Sequence, residues 1–229
     1  MRRKTIFVVL LISAMLILPR FVLPPILEYY VADYLEQEYG GQVRVTISTW
    51  LGWELVIGRL RAITIKWEDV VVNDLRIASI WLSGYNVAVD VSALLKHQQL
   101  IYLGAERLDG IVTVNEVDLN RFFWQQLDPE QHWQIDLTTD YAVLSGTYSL
   151  WQMDWHLSLV GEFSIAKPAQ ILFIPKEFLV METRVPALLL ELVSEYYTLI
   201  IDLRSLPIPI QLDWIELTEQ QIVLYGRGI

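Results

Sequence analysis

Apolar and polar residues alternate along most of this chain. Between residues 58 and 114 the two-residue period restarts several times, with turn sequences such as Asn73-Asp74 and Ser83-Gly84 between the segments. This period predicts strands with one apolar face, and connections this short favour antiparallel neighbours. Strands are predicted in the first half at residues 43–47, 60–72, 75–82, 86–91, 100–103 and 108–114. Strands are predicted in the second half at residues 133–138, 141–151, 154–165, 170–174, 211–217 and 221–226.

Four segments have the longer spacing that is typical of amphipathic helices. The first is predicted to start at Pro24-Pro25 and to end before Gly40-Gly41, in agreement with the usual positions of proline and glycine at helix ends. A short helix follows Ser92, which is expected to cap it. The others are predicted at residues 116–126 and 188–197, and the second of these has a wide apolar stripe.

These elements predict a single α+β domain at residues 24–229, because no low-complexity linker divides the chain. Its expected architecture is an elongated, curved, mainly antiparallel sheet with a few helices packed on one face. An N-terminal hydrophobic helix is expected to precede it. The segment at residues 50–58 is apolar without a clear period and predicts a loop or a short helix.

Residues 1–23 have the layout of a secretory signal. Arg2-Arg3-Lys4 precede an apolar run that ends at Pro19-Arg20, and a basic flank before such a run directs export. No Ala-x-Ala cleavage site follows, which favours an uncleaved signal anchor over a cleaved signal peptide. The anchor predicts a protein of the cell membrane with its body on the extracytoplasmic side, attached through the N-terminal segment. Cleavage would give a secreted protein.

Composition excludes several classes of function. Apolar residues make up 54% of the chain, which includes nine tryptophans, and the formal net charge is −10. An acidic field repels phosphate backbones, so no nucleic-acid partner is expected, and it argues equally against a polybasic contact with anionic lipid heads. The absence of cysteine excludes disulfides, thiolate metal sites and a lipobox-type anchor.

No arrangement of residues indicates catalysis. The three histidines are far apart in the sequence, and neither a metal-binding spacing nor a Gly-x-Ser-x-Gly motif is present. Paired carboxylates such as Glu68-Asp69 are better explained as solvated strand edges. We therefore expect no catalytic residues, no metal ligands, no cofactors and no enzyme activity. A hydrolase whose carboxylates lack a known pattern remains an alternative.

Short motifs along the body carry a family resemblance. They are Gly58-Arg59-Leu60, the stretch Val87 to Leu95 with Asp90, Asp118-Leu119-Asn120, and the ending Leu206-Pro207-Ile208-Pro209. With these motifs the chain, from about Ile26 to Gly228, resembles the LmeA family of phospholipid-binding proteins, which are exported envelope proteins of bacteria. The resemblance implies an extracytoplasmic protein that holds the acyl chains of a phospholipid between a curved sheet and helices. It implies no catalytic residues.

The candidate site residues follow from this hypothesis. Each apolar stripe alone is more simply explained as core, and only their sum suggests a lipid groove. The candidates for the groove are Leu27, Val31, Leu35, Ile63, Ile65, Trp67, Leu188, Leu192 and Tyr196. The candidates for the head group are Arg59, Arg61 and Arg76. The leading hypothesis is a non-enzymatic phospholipid-binding protein for envelope lipid handling or transfer. The alternative is a membrane-anchored structural or interaction protein with no lipid cavity, and the sequence predicts no particular protein partner.

Overall fold

The computed structural model describes residues 2–150, 153–166, 169–188, 190–191 and 199–228, with the side chains of residues 2–16 and of residue 150 outside the description. The chain is 54% strand and 25% helix in antiparallel, open sheets, which confirms the predicted α+β class. The helices whose bounds fall within the described residues are α1 (Arg2–Tyr39), α2 (Trp53–Val56), α3 (Val91–His97) and α4 (Glu116–Gln126). Most of the helix predicted at residues 188–197 lies outside the described residues. The first strands are β1 (Gln42–Ser48), β2 (Arg59–Val72), β3 (Leu75–Val89), β4 (Tyr102–Gly104), β5 (Arg107–Asn115) and β6 (Trp133–Leu137). The later strands are β7 (Ala142–Leu150), β8 (Met153–Ala166), β9 (Gln170–Val180), β10 (Thr183–Arg184), β11 (Ile200–Asp202), β12 (Ile210–Leu217) and β13 (Gln221–Gly228).

The strands form two sheets. One is seven-stranded, with the order β1-β2-β3-β5-β13-β12 and with β4 beside β3. The other is six-stranded, with the order β10-β9-β8-β7-β6 and with β11 beside β9. The two-residue period predicts most of these strands, but not β10 and β11. It carries no information about which sheet a strand joins, because both sheets bury one apolar face.

The chain also divides into two compact units. The first unit comprises residues 1–68, 80–110 and 228–229, and the second comprises residues 69–79 and 111–227. Strands β2, β3 and β5 contribute residues to both units. That residues 24–229 form a single domain stays a prediction.

In the first unit, α1 packs along the edge strand β1. Leu27, Val31 and Leu35 of the helix are buried, at the spacing that places them on one helical face. Two glutamates of the same helix accept hydrogen bonds from the strand, Ile47 N to Glu28 Oε1 at 2.7 Å and Val43 N to Glu36 Oε1 at 2.8 Å. The helix therefore satisfies backbone donors that an edge strand would otherwise present to solvent.

The predicted helix start at Pro24 is wrong, because α1 is continuous from Arg2 and contains Pro19, Pro24 and Pro25. Each proline removes one backbone hydrogen bond, at a cost of about 3 kcal/mol, and the burial of Pro24 offsets part of this cost. Residues 1–16 of the predicted signal lie outside the described side chains. Within the part that is described, the structure contains no helix with both the length and the hydropathy of a membrane span.

In the second unit, α4 covers the edge strand β6 with side chains four residues apart. Asn120 donates from Nδ2 to Ile135 O and accepts at Oδ1 from Ile135 N, both at 2.7 Å. Glu116 Oε2 accepts from Leu137 N at 2.7 Å, and Trp124 Nε1 donates to the carbonyl of Trp133 at 2.5 Å. This arrangement gives the Asp118-Leu119-Asn120 motif a structural role.

Several local predictions are confirmed and others are wrong. The turn at Asn73-Asp74 is confirmed, since both residues have positive φ, 49° and 68°, as a type I′ hairpin requires. The turn predicted at Ser83-Gly84 is wrong, because β3 continues through both residues. A Cβ on Gly84 would lie 2.5 Å from Val87 Cγ2, so this glycine provides space for packing.

The ends of two other elements differ from the prediction. Asp90 rather than Ser92 caps α3, because its Oδ1 accepts from Ala93 N at 2.9 Å. Strand β9 extends beyond the predicted residue 174 to Val180.

Candidate functional site

Three helices of the first unit line a partly open apolar pocket of about 240 Å³. Helix α1 forms one wall, α2 the second and α3 the third, and the polar lining groups are Ser92 and Lys96. We call this the helical pocket. Its lining residues are Leu23, Ile26, Leu27, Leu55, Val56, Val91, Ser92, Leu95 and Lys96.

The position of α2 depends on close contact with α1. Gly52 has a φ of 86°, and a Cβ there would collide with the carbonyl of Pro19, so only glycine allows the two backbones to approach this closely. The Glu54 carboxylate accepts from Thr49 Oγ1 and, at 3.1 Å, from Trp50 N. These contacts fix the short helix so that Leu55 is buried.

A second pocket of about 410 Å³ contains two of the predicted head-group arginines. Arg59 and Arg61 are two residues apart on β2, so their side chains share one face of the strand. Arg61 Cζ lies 4.0 Å from the centroid of the Trp50 ring, a cation–π contact. We call this the arginine pocket. Its lining residues are Trp50, Glu54, Arg59, Leu60, Arg61, Asn86, Val87 and Ala88.

The electrostatics of the arginine pocket favour an anion. Within the described part of the chain, neither Arg59 nor Arg61 forms an ion pair. The one carboxylate that lines the pocket, Glu54, is engaged by Thr49 and by the backbone. Two guanidinium groups are therefore available to a phosphate, which arginine binds in bidentate fashion.

A third depression of the first unit, about 290 Å³ in volume, has the opposite character. Asp33 and Glu38 line it together with Tyr34 and His97. Burial, and then the charge of Glu38, raises the pKa of Tyr34, so the phenol remains neutral at physiological pH. Two carboxylates in this depression disfavour an anionic head group.

The predicted groove residues occupy different environments. Leu27 lines the helical pocket, while Val31 and Leu35 are buried elsewhere on α1. Strand β2 provides three further core residues, of which Trp67 donates from Nε1 to Gly40 O at 2.9 Å. The residues of this strand that were predicted to line the groove and are buried are Ile63, Ile65 and Trp67. Their participation in lipid binding stays a prediction.

The remaining predicted site residues either lie in the second unit or are outside the residues that the structure describes. Leu188 is exposed, and Leu192 and Tyr196 lie outside the described residues. Arg76 pairs with Asp69, with Nη2 and Oδ1 2.8 Å apart. The hydrogen bond to Asp69 raises the pKa of Arg76, so a phosphate would have to compete with this carboxylate.

The sequence analysis missed Leu23, Leu55, Val91 and Leu95 of the helical pocket. They come from three separate segments, and α2 is only one turn long, so no periodicity connects them. The available signal was the apolar segment at residues 50–58 that fits neither a strand nor a long helix. Such a segment beside a predicted helix can contribute to a binding pocket.

Groups with catalytic potential are sparse in the described residues, where no cluster of three metal-ligating side chains occurs. In the second unit, His132 and His156 line a polar depression of about 570 Å³. His132 Nδ1 lies 3.4 Å from Asp128 Oδ1, and Thr147 Oγ1 is 2.9 Å from His156 Nδ1. These contacts connect each histidine to its own neighbours.

Comparison with known proteins identifies a family. No curated protein and no solved structure matches the chain. A family model described as LmeA-like phospholipid-binding matches residues 19–227, which include both the helical and the arginine pocket. The chain therefore belongs to the LmeA-like phospholipid-binding family.

Proposed function

We propose that the protein binds a phospholipid at its first unit and acts without catalysis. In this proposal the helical pocket takes part of an acyl chain, and the arginine pocket takes the phosphate. The observation that carries the proposal is the position of α2, which contributes Leu55 and Val56 to the apolar pocket and Glu54 to the cationic one. A ligand with a hydrocarbon tail and an anionic head matches this pair of neighbouring sites.

The size of the helical pocket limits how much hydrocarbon it can hold. Its volume is about 240 Å³ and it is partly open to solvent, so a hydrocarbon segment inside it is only partly buried and gains less than the roughly 0.8 kcal/mol of a fully buried methylene. The pocket can therefore take a short segment of one acyl chain, whereas the remaining hydrocarbon needs another apolar environment.

Partial uptake of the lipid fits a protein that remains at a membrane. The unbound part of the hydrocarbon would stay in the bilayer while the protein holds one segment. We therefore propose a role in envelope lipid handling, with the body on the extracytoplasmic side and residues 1–23 as the tether. The basic flank and apolar run of this segment support the proposal.

Native mass spectrometry of the purified full chain tests this function. We expect phospholipid to co-purify with the wild type. Leu95→Glu places a carboxylate in the helical pocket and is expected to reduce lipid occupancy several-fold. Leu103→Glu is the matched control, because Leu103 is an exposed leucine of the first unit that does not line this pocket.

The arginine pocket has its own test. Arg59→Gln combined with Arg61→Gln should reduce retention of an anionic phospholipid, while Arg44→Gln, an exposed arginine of β1, should leave it unchanged. A wild-type protein that is folded but carries no phospholipid would contradict the proposal. Such a result would favour the alternative of a structural or interaction protein.

A further inference from the structure

The loop that carries α2 exposes large apolar side chains. Among residues 50–57, which we call the tryptophan loop, Gly52 and Leu55 are buried against the body. Ile57 is 71% exposed and Trp50 is 60% exposed. The exposed large apolar residues of the loop are Trp50, Leu51, Trp53, Val56 and Ile57. Exposed apolar residues in this density mark an interaction surface.

The tryptophan loop continues the apolar surface of α1. The backbones meet at Gly52 and Pro19, next to four exposed apolar residues of the helix. These are Ile17, Leu18, Phe21 and Val22. The preceding sequence of α1 is the apolar run of residues 6–18. Since that run is the predicted membrane tether, the loop beside its end would lie at the membrane surface.

Three cations lie beside the same loop. Arg59 and Arg61 share the arginine pocket with Trp50, and Lys96 lines the helical pocket with Val56. Across the described side chains, none of these three cations forms an ion pair.

The second unit shows a different pattern. Each of its described lysines and arginines is ion-paired, namely Arg76, Arg121, Lys176, Arg184, Arg204 and Arg227. In an acidic protein with a net charge of −10, three unpaired cations next to one apolar loop outnumber the one carboxylate of that loop, Glu54, and form a local positive field. Such a field complements a negatively charged surface.

We propose that the tryptophan loop is a docking element that inserts into the interface of an anionic phospholipid bilayer. Tryptophan is favoured at the level of lipid head groups, where its ring is apolar and its N–H remains hydrated. The stacking of Arg61 on Trp50 keeps a guanidinium at phosphate level while the ring enters the apolar layer. The position of the loop beside the end of the apolar run, which is the proposed tether, favours a lipid surface over a protein partner.

This inference concerns the surface of a bilayer, and it goes beyond the pocket proposed for a single lipid. Because the chain has no cysteine, a single introduced cysteine can carry an environment-sensitive fluorophore. Leu51→Cys places the fluorophore on the loop. Val117→Cys places it on α4 of the second unit, at a residue that is also exposed, and serves as the matched control.

The full-length labelled proteins are reconstituted into vesicles of phosphatidylcholine, or of phosphatidylcholine with phosphatidylglycerol. We expect the fluorophore at residue 51 to emit at a shorter wavelength when vesicles are present. We also expect its quenching by aqueous iodide to decrease several-fold. We expect the label at residue 117 to remain accessible. The N-terminal tether brings both labels near the vesicle, so only insertion of the loop separates them.

The same assay tests whether the arginine side chains contribute to docking. Arg59→Gln combined with Arg61→Gln should weaken protection of the label at residue 51 in vesicles with phosphatidylglycerol, as should high salt. Equal quenching at residues 51 and 117 would overturn the proposal. Protection that needs no vesicles and grows with protein concentration would also overturn it, because a second copy would then cover the loop. Equal protection in both vesicle types would overturn the assignment to an anionic surface.

The proposal of membrane docking and the proposal of a lipid pocket can be contradicted independently of each other. Lipid retention is measured on the same labelled chains by native mass spectrometry. A protected loop without co-purified lipid would support docking and contradict the pocket. Co-purified lipid with an accessible loop would support the pocket and contradict docking.

Discussion

Gly58, the first residue of the family motif Gly58-Arg59-Leu60, has two structural reasons to be glycine. Its φ is 74°, a conformation that side chains disfavour, and a Cβ would collide with the carbonyl oxygen of Val89. Val89 N also donates to the carbonyl of Gly58 at 2.9 Å, so the two backbones are held together. The motif that suggested the family thus marks the point where the start of β2 contacts the end of β3.

Gly58→Ala should therefore strongly destabilise the protein. The control is Gly40→Ala, because Gly40 has a similar φ of 72° but no atom within 4 Å of its missing Cβ. We expect about 1 kcal/mol of destabilisation at Gly40 from the backbone conformation alone. At Gly58 we expect clearly more, because the collision is with backbone. Guanidinium denaturation of both variants measures the difference, and equal losses would contradict the packing argument.

Asp202 should make stability depend on pH. The hydrogen bonds from the Arg204 side chain, at 3.0 Å from Nε to each carboxylate oxygen, hold the pKa of Asp202 well below its usual range. Gln170 donates to the same carboxylate at 3.1 Å and acts in the same direction. A lowered pKa in the folded state stabilises the protein above the unfolded value of about 4, and this contribution disappears as the pH falls toward the folded value.

The measurement compares thermal unfolding at neutral and acidic pH. Asp202→Asn should lose stability at neutral pH and show a shallower decline on acidification than the wild type. Asp74→Asn changes an exposed carboxylate in the turn between β2 and β3 and should retain the wild-type profile. Parallel acid profiles of wild type and Asp202→Asn would rule out the ion pair as a source of the pH dependence.

At the scale of elements, each of two helices protects an edge strand. Helix α1 covers β1 through Glu28 and Glu36, and α4 covers β6 through Glu116 and Asn120. An unprotected edge invites pairing with another chain. Polar residues on the apolar side of a helix can therefore be structural, which explains why Asn120 is buried.

Asn120→Ala should destabilise the contact between α4 and β6. The substitution leaves the N–H and the carbonyl of Ile135 without their partner, and each buried unsatisfied group costs about 1 to 3 kcal/mol. Gln125→Ala, an exposed residue of the same helix, is the control and should change little. Hydrogen exchange of the Ile135 amide should accelerate in Asn120→Ala only, and an unchanged rate there would contradict this role.

The sequence predicted most strands and the whole of α4, because periodicity reports which face of an element is buried. It failed at Ser83-Gly84, since a glycine that makes room for Val87 looks like a turn. It also failed at Pro24, where a proline that usually starts a helix lies inside α1. The helical pocket could not be predicted, because its walls are assembled from short segments whose spatial proximity only the fold determines.

At the scale of the whole molecule, net charge conceals how the charges are paired. The value of −10 argued against contact with anionic lipids. The second unit, however, neutralises its described cations internally, while Arg59, Arg61 and Lys96 of the first unit stay unpaired. A local field, rather than the sum over the chain, determines which ligand a surface attracts.

The two compact units should unfold as one. Strands β2, β3 and β5 contribute residues to both units, so melting either unit disrupts strands that the other requires. Residues 24–229 are therefore expected to show a single cooperative transition, with equal calorimetric and van't Hoff enthalpies. Gly58→Ala in the first unit and Asn120→Ala in the second should each move this transition as a whole. Two separate transitions, each shifted by only one variant, would show that the chain folds as two domains.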